Sequence, residues 1–253
     1  MTKDFVTVKG KKSFIKDDTL FLFNKGITTI SEIEGLKSLT SIEILRLGDN
    51  QIKEISGLEH LVNLKVLILS NNQIEEIKGL ETFTELQILI LSNNQIEEIK
   101  GLERLTKLQR LTLSSNQIGE IKGLDNLSDL QTLELSQNRI TEIKGLENLS
   151  NLNQLDLSYN QIKDIGGLEP LTNLQGLYLL GNQIEEIEGL NHLTNLEELL
   201  LSQNKIREIK GLENLEKLQM ILLRDNPIKA EEKDLIFQKA QNLVKYCQEK
   251  LKR

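Results

Sequence analysis

Tryptophan is absent from this chain, cysteine occurs once (Cys247), proline twice (Pro170 and Pro227), and aromatic residues fill 4% of 253 positions. One cysteine excludes an internal disulfide scaffold and a cysteine-based zinc site. Alanine is nearly missing too, with only Ala230 and Ala240. Helical bundles use alanine freely for propensity and close packing, so its scarcity argues against an ordinary helical protein. No uncharged apolar run reaches the roughly 18 residues of a membrane span. Met1 to Phe5 open the chain without an apolar signal segment, from which a cytoplasmic location is expected. A net charge of −7 offers nucleic acid no electrostatic footprint.

The chain is instead rich in branched aliphatics, with 50 Leu and 28 Ile against five Val. Asn recurs at 50, 72, 94, 116, 138, 160, 182, 204 and 226, a period of 22 residues without a slip. Gly keeps the same period from Gly35 to Gly211. One unit reads Leu64-x-x-Leu67-x-Leu69-x-x-Asn72-x-Ile74-x-x-Ile77-x-Gly79-Leu80-x-x-Phe83, and nine such units fit. So short a unit cannot close a core alone, so each must bury its aliphatic face against its neighbours as a solenoid. The Leu67-x-Leu69 alternation predicts a strand, and strands stacked at one period form a parallel sheet. The Asn column is expected to be buried and structural, bonding backbone groups of the turn and the adjoining repeat. The Gly column is expected to permit a bend or a close approach between coils rather than to cradle a phosphate.

The pattern from Leu64 to Ile74 resembles the leucine-rich repeat. The 22-residue unit with Glu-Ile-Lys-Gly-Leu-Glu, as at 98–103, is most similar to the subclass typified by the nuclear regulatory subunit of protein phosphatase 1, and internalins carry a similar unit. The resemblance covers roughly residues 30–228 and implies an α/β repeat solenoid, a horseshoe whose concave parallel β-sheet binds proteins. The expected organisation is an N-terminal β cap over 1–29, nine repeats over 30–228, and a capping helix over 229–253. In the first cap, strands are expected at Phe5–Val8, from Ser13 to Ile15 and over 19–23, with a turn at 9–12. In the last, Leu235, Ile236, Ala240, Leu243, Val244, Cys247 and Leu251 fall near helical spacing, which makes Cys247 a small core residue.

Little in the sequence suggests chemistry. The two histidines, His60 and His192, share one slot six repeats apart, too far for a common metal, and read as convex surface residues. A serine column from Ser70 to Ser202 has no base within reach. Glu134 and Asp156 hold one outward slot in neighbouring repeats and form the one carboxylate pair suited to acid–base work. The convex glutamates, with Glu98 and Glu120 among them, alternate with a lysine column, which keeps a solenoid surface mixed in charge. No cofactor, metal or small-molecule substrate is expected.

The slots that vary from repeat to repeat are the two outward positions of each strand. Ile44, Val66, Ile68, Ile88 and Ile90 make an apolar group near one end; Arg110, Thr132, Glu134 and Asp156 a polar centre; Tyr178, Leu200, Met220 and Leu222 a second apolar group, joined by rim residues Tyr159 and Leu180. Clustering of this kind marks a binding surface. The reading is therefore a non-enzymatic protein–protein interaction module that grips a protein partner on its concave face, as a regulatory or scaffold subunit, without nucleic acid or membrane. A structural or designed repeat chain with no natural partner is the alternative, and a hydrolase using Glu134 and Asp156 is the third reading.

Overall fold

A computed structural model describes residues 5–252. Residues 1–4 of the expected N-terminal cap and residue 253 of the expected C-terminal one lie outside the described residues. The chain is a parallel-sheet solenoid of nine turns and divides into two units. The first runs to Ile118 and takes in Lys122–Leu130; the second comprises Gly119–Ile121 and Gln131 onward.

In the first unit, β1 (Phe5–Val8) and β2 (Lys11–Lys16) form an antiparallel hairpin. Its turn is Lys9-Gly10, with φ of 47° and 75°, the pair of positive values that suits the twist of a two-residue hairpin. The second strand therefore begins at Lys11, earlier than the expected Ser13. A second tight hairpin leads to β3 (Thr19–Phe21), which also pairs in parallel with β4 (Ile44–Arg46), so that the cap passes directly into the sheet. β5 (Val66–Ile68), β6 (Ile88–Ile90) and β7 (Arg110–Thr112) follow in parallel register at the 22-residue period.

Each strand from β3 to β7 is three residues long because only its central leucine and the leucine two places on are needed inside. Leu67 and Leu69 are fully buried, while Val66 and Ile68 face outward and are half-buried. The chain then turns through a left-handed residue, Asn71 with φ 56°, and Asn72 closes the turn. Its amide donates to the carbonyls of Leu47 and Leu69, both at 3.0 Å, and accepts the Ile52 N–H at 2.9 Å. One buried side chain thus satisfies three backbone groups of two coils, as the Asn column led us to expect. Along the back of the coil, the N–H of Leu61 bonds Leu58 O at 2.9 Å and that of Leu64 bonds Leu61 O at 3.1 Å. Tight turns three residues apart keep these leucines on one side, so the return needs no full helix and 22 residues suffice. Gly101, with φ 72°, marks where coils touch: a Cβ there would stand 2.5 Å from the Ile77 carbonyl oxygen.

The second unit repeats this geometry in β8 (Thr132–Glu134), β9 (Gln154–Asp156), β10 (Gly176–Tyr178), β11 (Glu198–Leu200) and β12 (Met220–Leu222), all in parallel register. The expected single helix over 229–253 resolves into a 3-10 segment, Ala230–Phe237, and an α-helix, α1 (Ala240–Lys250). Ala240, Leu243, Val244 and Cys247 are buried against the last coil. Burial pushes the Cys247 thiol up to about 11, which fits a core residue rather than a reactive one. Leu251, expected on the same face, lies past the helix end and is 70% exposed. Glu232 ties the cap down. It accepts the Ile209 N–H at 2.8 Å, the Tyr246 hydroxyl at 2.8 Å and the Lys250 ammonium at 3.0 Å.

Candidate binding face

Outward strand positions of each unit line up in rows, because parallel pairing in strict register stacks like positions. In the first unit, one row runs Ile44, Val66, Ile88, Arg110 and the other Arg46, Ile68, Ile90, Thr112. The five aliphatics expected to cluster do so, and each is half-buried by its neighbours. Arg110, at the end of its row, is exposed, whereas Thr112 is only 6% exposed.

Phe21 also belongs to this face, a residue the sequence assigned to the cap. β3 sets it beside Arg46, whose guanidinium carbon lies 5.4 Å from the ring centre. The spacing from Phe21 to Arg46 is 25 residues, not 22, so the period alone misses it. The Thr19-Leu20-Phe21-Leu22 alternation is the available signal, since Leu20 and Leu22 are fully buried like Leu67 and Leu69.

In the second unit, the rows run Thr132, Gln154, Gly176, Glu198, Met220 and Glu134, Asp156, Tyr178, Leu200, Leu222. Gly176 leaves the first row without a side chain at its middle, and Tyr178 folds back over that gap. Its hydroxyl lies 2.6 Å from Gln154 Oε1 and 2.7 Å from Glu198 Oε2, one neighbour on either side. A single proton serves one of them: it goes to the carboxylate, and the Gln154 amide, turned end for end, donates to the phenol oxygen. Burial, followed by the hydrogen bond and charge of Glu198, holds this phenol well above the usual tyrosine range. A water-facing hydroxyl, the usual arrangement for tyrosine at an interface, is not what the structure shows here.

Beyond Tyr178, Leu200 is half-buried, and Met220 and Leu222 are 46% and 41% exposed. On the rim, the Tyr159 ring lies against Gly181 of the next coil, where a Cβ would stand 2.6 Å from Tyr159 Cδ1. Tyr159 has φ 55°, a left-handed conformation that is costly for a bulky side chain. Glu134 and Asp156 are adjacent in register, as expected, but Asp156 Oδ1 already accepts the Ser158 N–H at 2.9 Å.

On the opposite side of the coils the acids are matched by lysines. Lys100 lies between Glu76 and Glu98, at 3.8 and 3.4 Å, and Lys122 meets Glu98 at 2.7 Å. In the second unit Lys144 meets Glu120 at 3.0 Å. The histidines are more than surface residues: His60 and His192 are half-buried, and each ring nitrogen lies 2.9 Å from a carbonyl of the preceding coil, Leu36 O and Leu168 O. Among the described residues no His, Cys, Asp and Glu side chains group in a way that would hold a metal, and no helix is long and apolar enough to cross a membrane.

A family model described as leucine-rich repeats (two copies) matches residues 40–82, 84–126, 128–170 and 150–192. No curated protein matches the sequence. Among solved structures, the chain is 32% identical to internalin C2 of Listeria monocytogenes, with a TM-score of 0.62, covering 81% of this chain and 80% of that one. It is 28% identical to a leucine-rich repeat protein of Leptospira interrogans, with a TM-score of 0.72, covering 84% of this chain and 61% of that one. It is 29% identical to TLR13 in its complex with ssRNA13, with a TM-score of 0.71, covering 82% of this chain and 32% of that one. The chain thus spans less than two thirds of the length of the last two.

Proposed function

This chain belongs to the leucine-rich repeat family, and we propose that it is a non-enzymatic interaction module that binds a protein partner on the open face of its sheet. The observation that carries this reading is the group Tyr178, Leu200, Met220, Leu222, Tyr159 and Leu180, which places large apolar and aromatic side chains together in outward and rim slots. Fold-forming slots are constant here, so a face whose slots vary and still cluster by chemistry is the part free to serve a partner. Ile44, Val66, Ile68, Ile88 and Ile90 form the secondary anchor, and Arg110, Glu134 and Asp156 supply charge.

The partner is a protein rather than a nucleic acid, a choice supported by the net charge of −7 and by Glu134, Asp156 and Glu198 in outward slots. Retardation of single-stranded RNA in a gel at physiological salt would overturn it. The location is the cytoplasm, and recovery of the chain from a secreted or surface fraction of the source cells would overturn that. A narrower version makes the chain a regulatory subunit of a phosphatase, supported by the unit length and the Glu-Ile-Lys-Gly-Leu-Glu segment alone; phosphatase activity that the added chain leaves unchanged counts against it.

The test is a pull-down followed by titration calorimetry with three double variants. Leu200→Ala with Met220→Ala should weaken binding by about 2 kcal/mol or more. Glu134→Lys with Asp156→Lys should slow association with a basic partner in a salt-dependent way. Glu98→Lys with Glu120→Lys, on the other side of the coils, should change little. If only the last loses affinity, the binding face is assigned wrongly.

A further inference from the structure

Three features of the second unit's sheet face converge on one kind of ligand. The first is the Tyr178 ring. Because Gly176 has no side chain, the phenol reaches the space its Cβ would occupy, with the hydroxyl 2.7 Å from that point. The ring therefore lies low across the strand, pinned at its far end by Gln154 and Glu198, and presents its other side outward. A fixed, half-buried aromatic surface of this kind is a platform for a cation.

The second is the charge around the ring. Asp156 stands beside Tyr178 in register, and Glu198 holds its hydroxyl from the other side. Among the described residues neither carboxylate makes an ion pair, whereas the glutamates across the coil, Glu120 and Glu186, are each met by a lysine. None of the ten outward positions of this unit is Lys or Arg. In the first unit the outward charges are Arg46 and Arg110, so a basic ligand is steered toward the second unit alone.

The third is the apolar ground next to the platform. Leu200, Met220 and Leu222 occupy the next two strands, and β12 lies about 10 Å from Tyr178 at two strand spacings. An extended peptide covers that distance in about three residues.

We infer that the partner's contact is an extended segment bearing an arginine that stacks on Tyr178 between Asp156 and Glu198, followed within about two to four residues by apolar side chains that sit on Leu200, Met220 and Leu222. Guanidinium fits better than ammonium because its plane can lie on a ring while its edge donates to a carboxylate. This inference rests on the reading of the open face as the binding face and adds the chemistry of what binds there.

The probe is a library of random dodecapeptides displayed on phage, selected on the full immobilised chain and read by sequencing. Selected peptides should be enriched in arginine next to aliphatic or aromatic residues. Synthetic copies should bind more weakly as salt is raised, and should lose roughly tenfold or more in affinity for Asp156→Asn with Glu198→Gln. That pair keeps acceptor oxygens at both positions, and circular dichroism checks that the variant is folded. Neutral or acidic peptides that lose affinity on Leu200→Ala with Met220→Ala, but not on the Asn and Gln pair, would overturn the arginine inference and leave the binding face standing. Peptides indifferent to both variants, or no selected peptide at all, would overturn both. Self-association in sedimentation, abolished by the Asn and Gln pair or by Arg46→Gln with Arg110→Gln, would show that a second copy of this chain takes the site and would overturn the foreign segment.

Discussion

The Tyr178 hydroxyl stands 2.7 Å from the point at which Gly176, two residues earlier on the same strand, would carry a Cβ. The glycine is what lets the phenol reach Gln154 on one neighbouring strand and Glu198 on the other. Gly176→Ala should therefore expel the ring, lower stability by about 1–3 kcal/mol in chemical denaturation, and return the phenol toward its ordinary titration. Absorbance at alkaline pH reads this directly, since there is no tryptophan to obscure the three tyrosines. The native phenol is raised above its unfolded value, so its contribution to stability is present below about pH 10 and is lost as pH rises through the native value. Melts that stay level through this window would show that the hydroxyl is not held.

The Asn column should give a graded series. Asn116→Ala strands the Ile96 N–H and the carbonyls of Leu91 and Leu113 in the interior, and should cost about 3 kcal/mol. Asn226→Ala breaks equivalent bonds at a half-buried last turn, where water can replace some of them, so about 1 kcal/mol is expected. Equal costs in urea denaturation would mean that burial does not set the value of these amides.

Two glycines separate backbone strain from crowding. Gly57 and Gly101 both have positive φ, 79° and 72°, but a Cβ on Gly57 meets nothing within 4 Å and one on Gly101 meets the Ile77 carbonyl. Gly57→Ala should cost about 1 kcal/mol for the left-handed conformation alone. Gly101→Ala should cost at least about 2 kcal/mol more, because two backbones must part. Similar melting temperatures for the two variants would rule out a close approach between coils.

At the C-terminal cap, burial works against the Glu232 charge, but the Ile209 N–H, Tyr246 and Lys250 outweigh it and hold the carboxyl below its ordinary 4.5. A depressed carboxyl stabilises the fold above its unfolded pKa, and the contribution is lost as pH falls through the lowered native value. Thermal melts should therefore show an acid limb that flattens in Glu232→Gln, with a loss of about 2 kcal/mol at neutral pH. An unchanged acid limb would place the acid sensitivity elsewhere.

The sequence by itself determined the solenoid, its nine turns, which periodic leucines, isoleucines and asparagines lie inside, and where glycine lets coils approach, because stacking at a constant period forces the same answer on every copy. It also determined which residues share the outward rows, since register follows from that period. Only the tertiary structure decided what those outward residues do. Tyr178 folds onto Gly176 and bonds partners 24 residues before and 20 after it, a choice made by the space one missing side chain leaves, which no repeat pattern encodes. Phe21 joins the face through a spacing of 25, because the cap strand enters the sheet by a hairpin rather than by a full coil. Leu251 leaves the core because α1 ends at Lys250, a stop that helical spacing did not reveal. Repeated positions have one environment and can be read from the chain; single positions take theirs from neighbours far away in sequence.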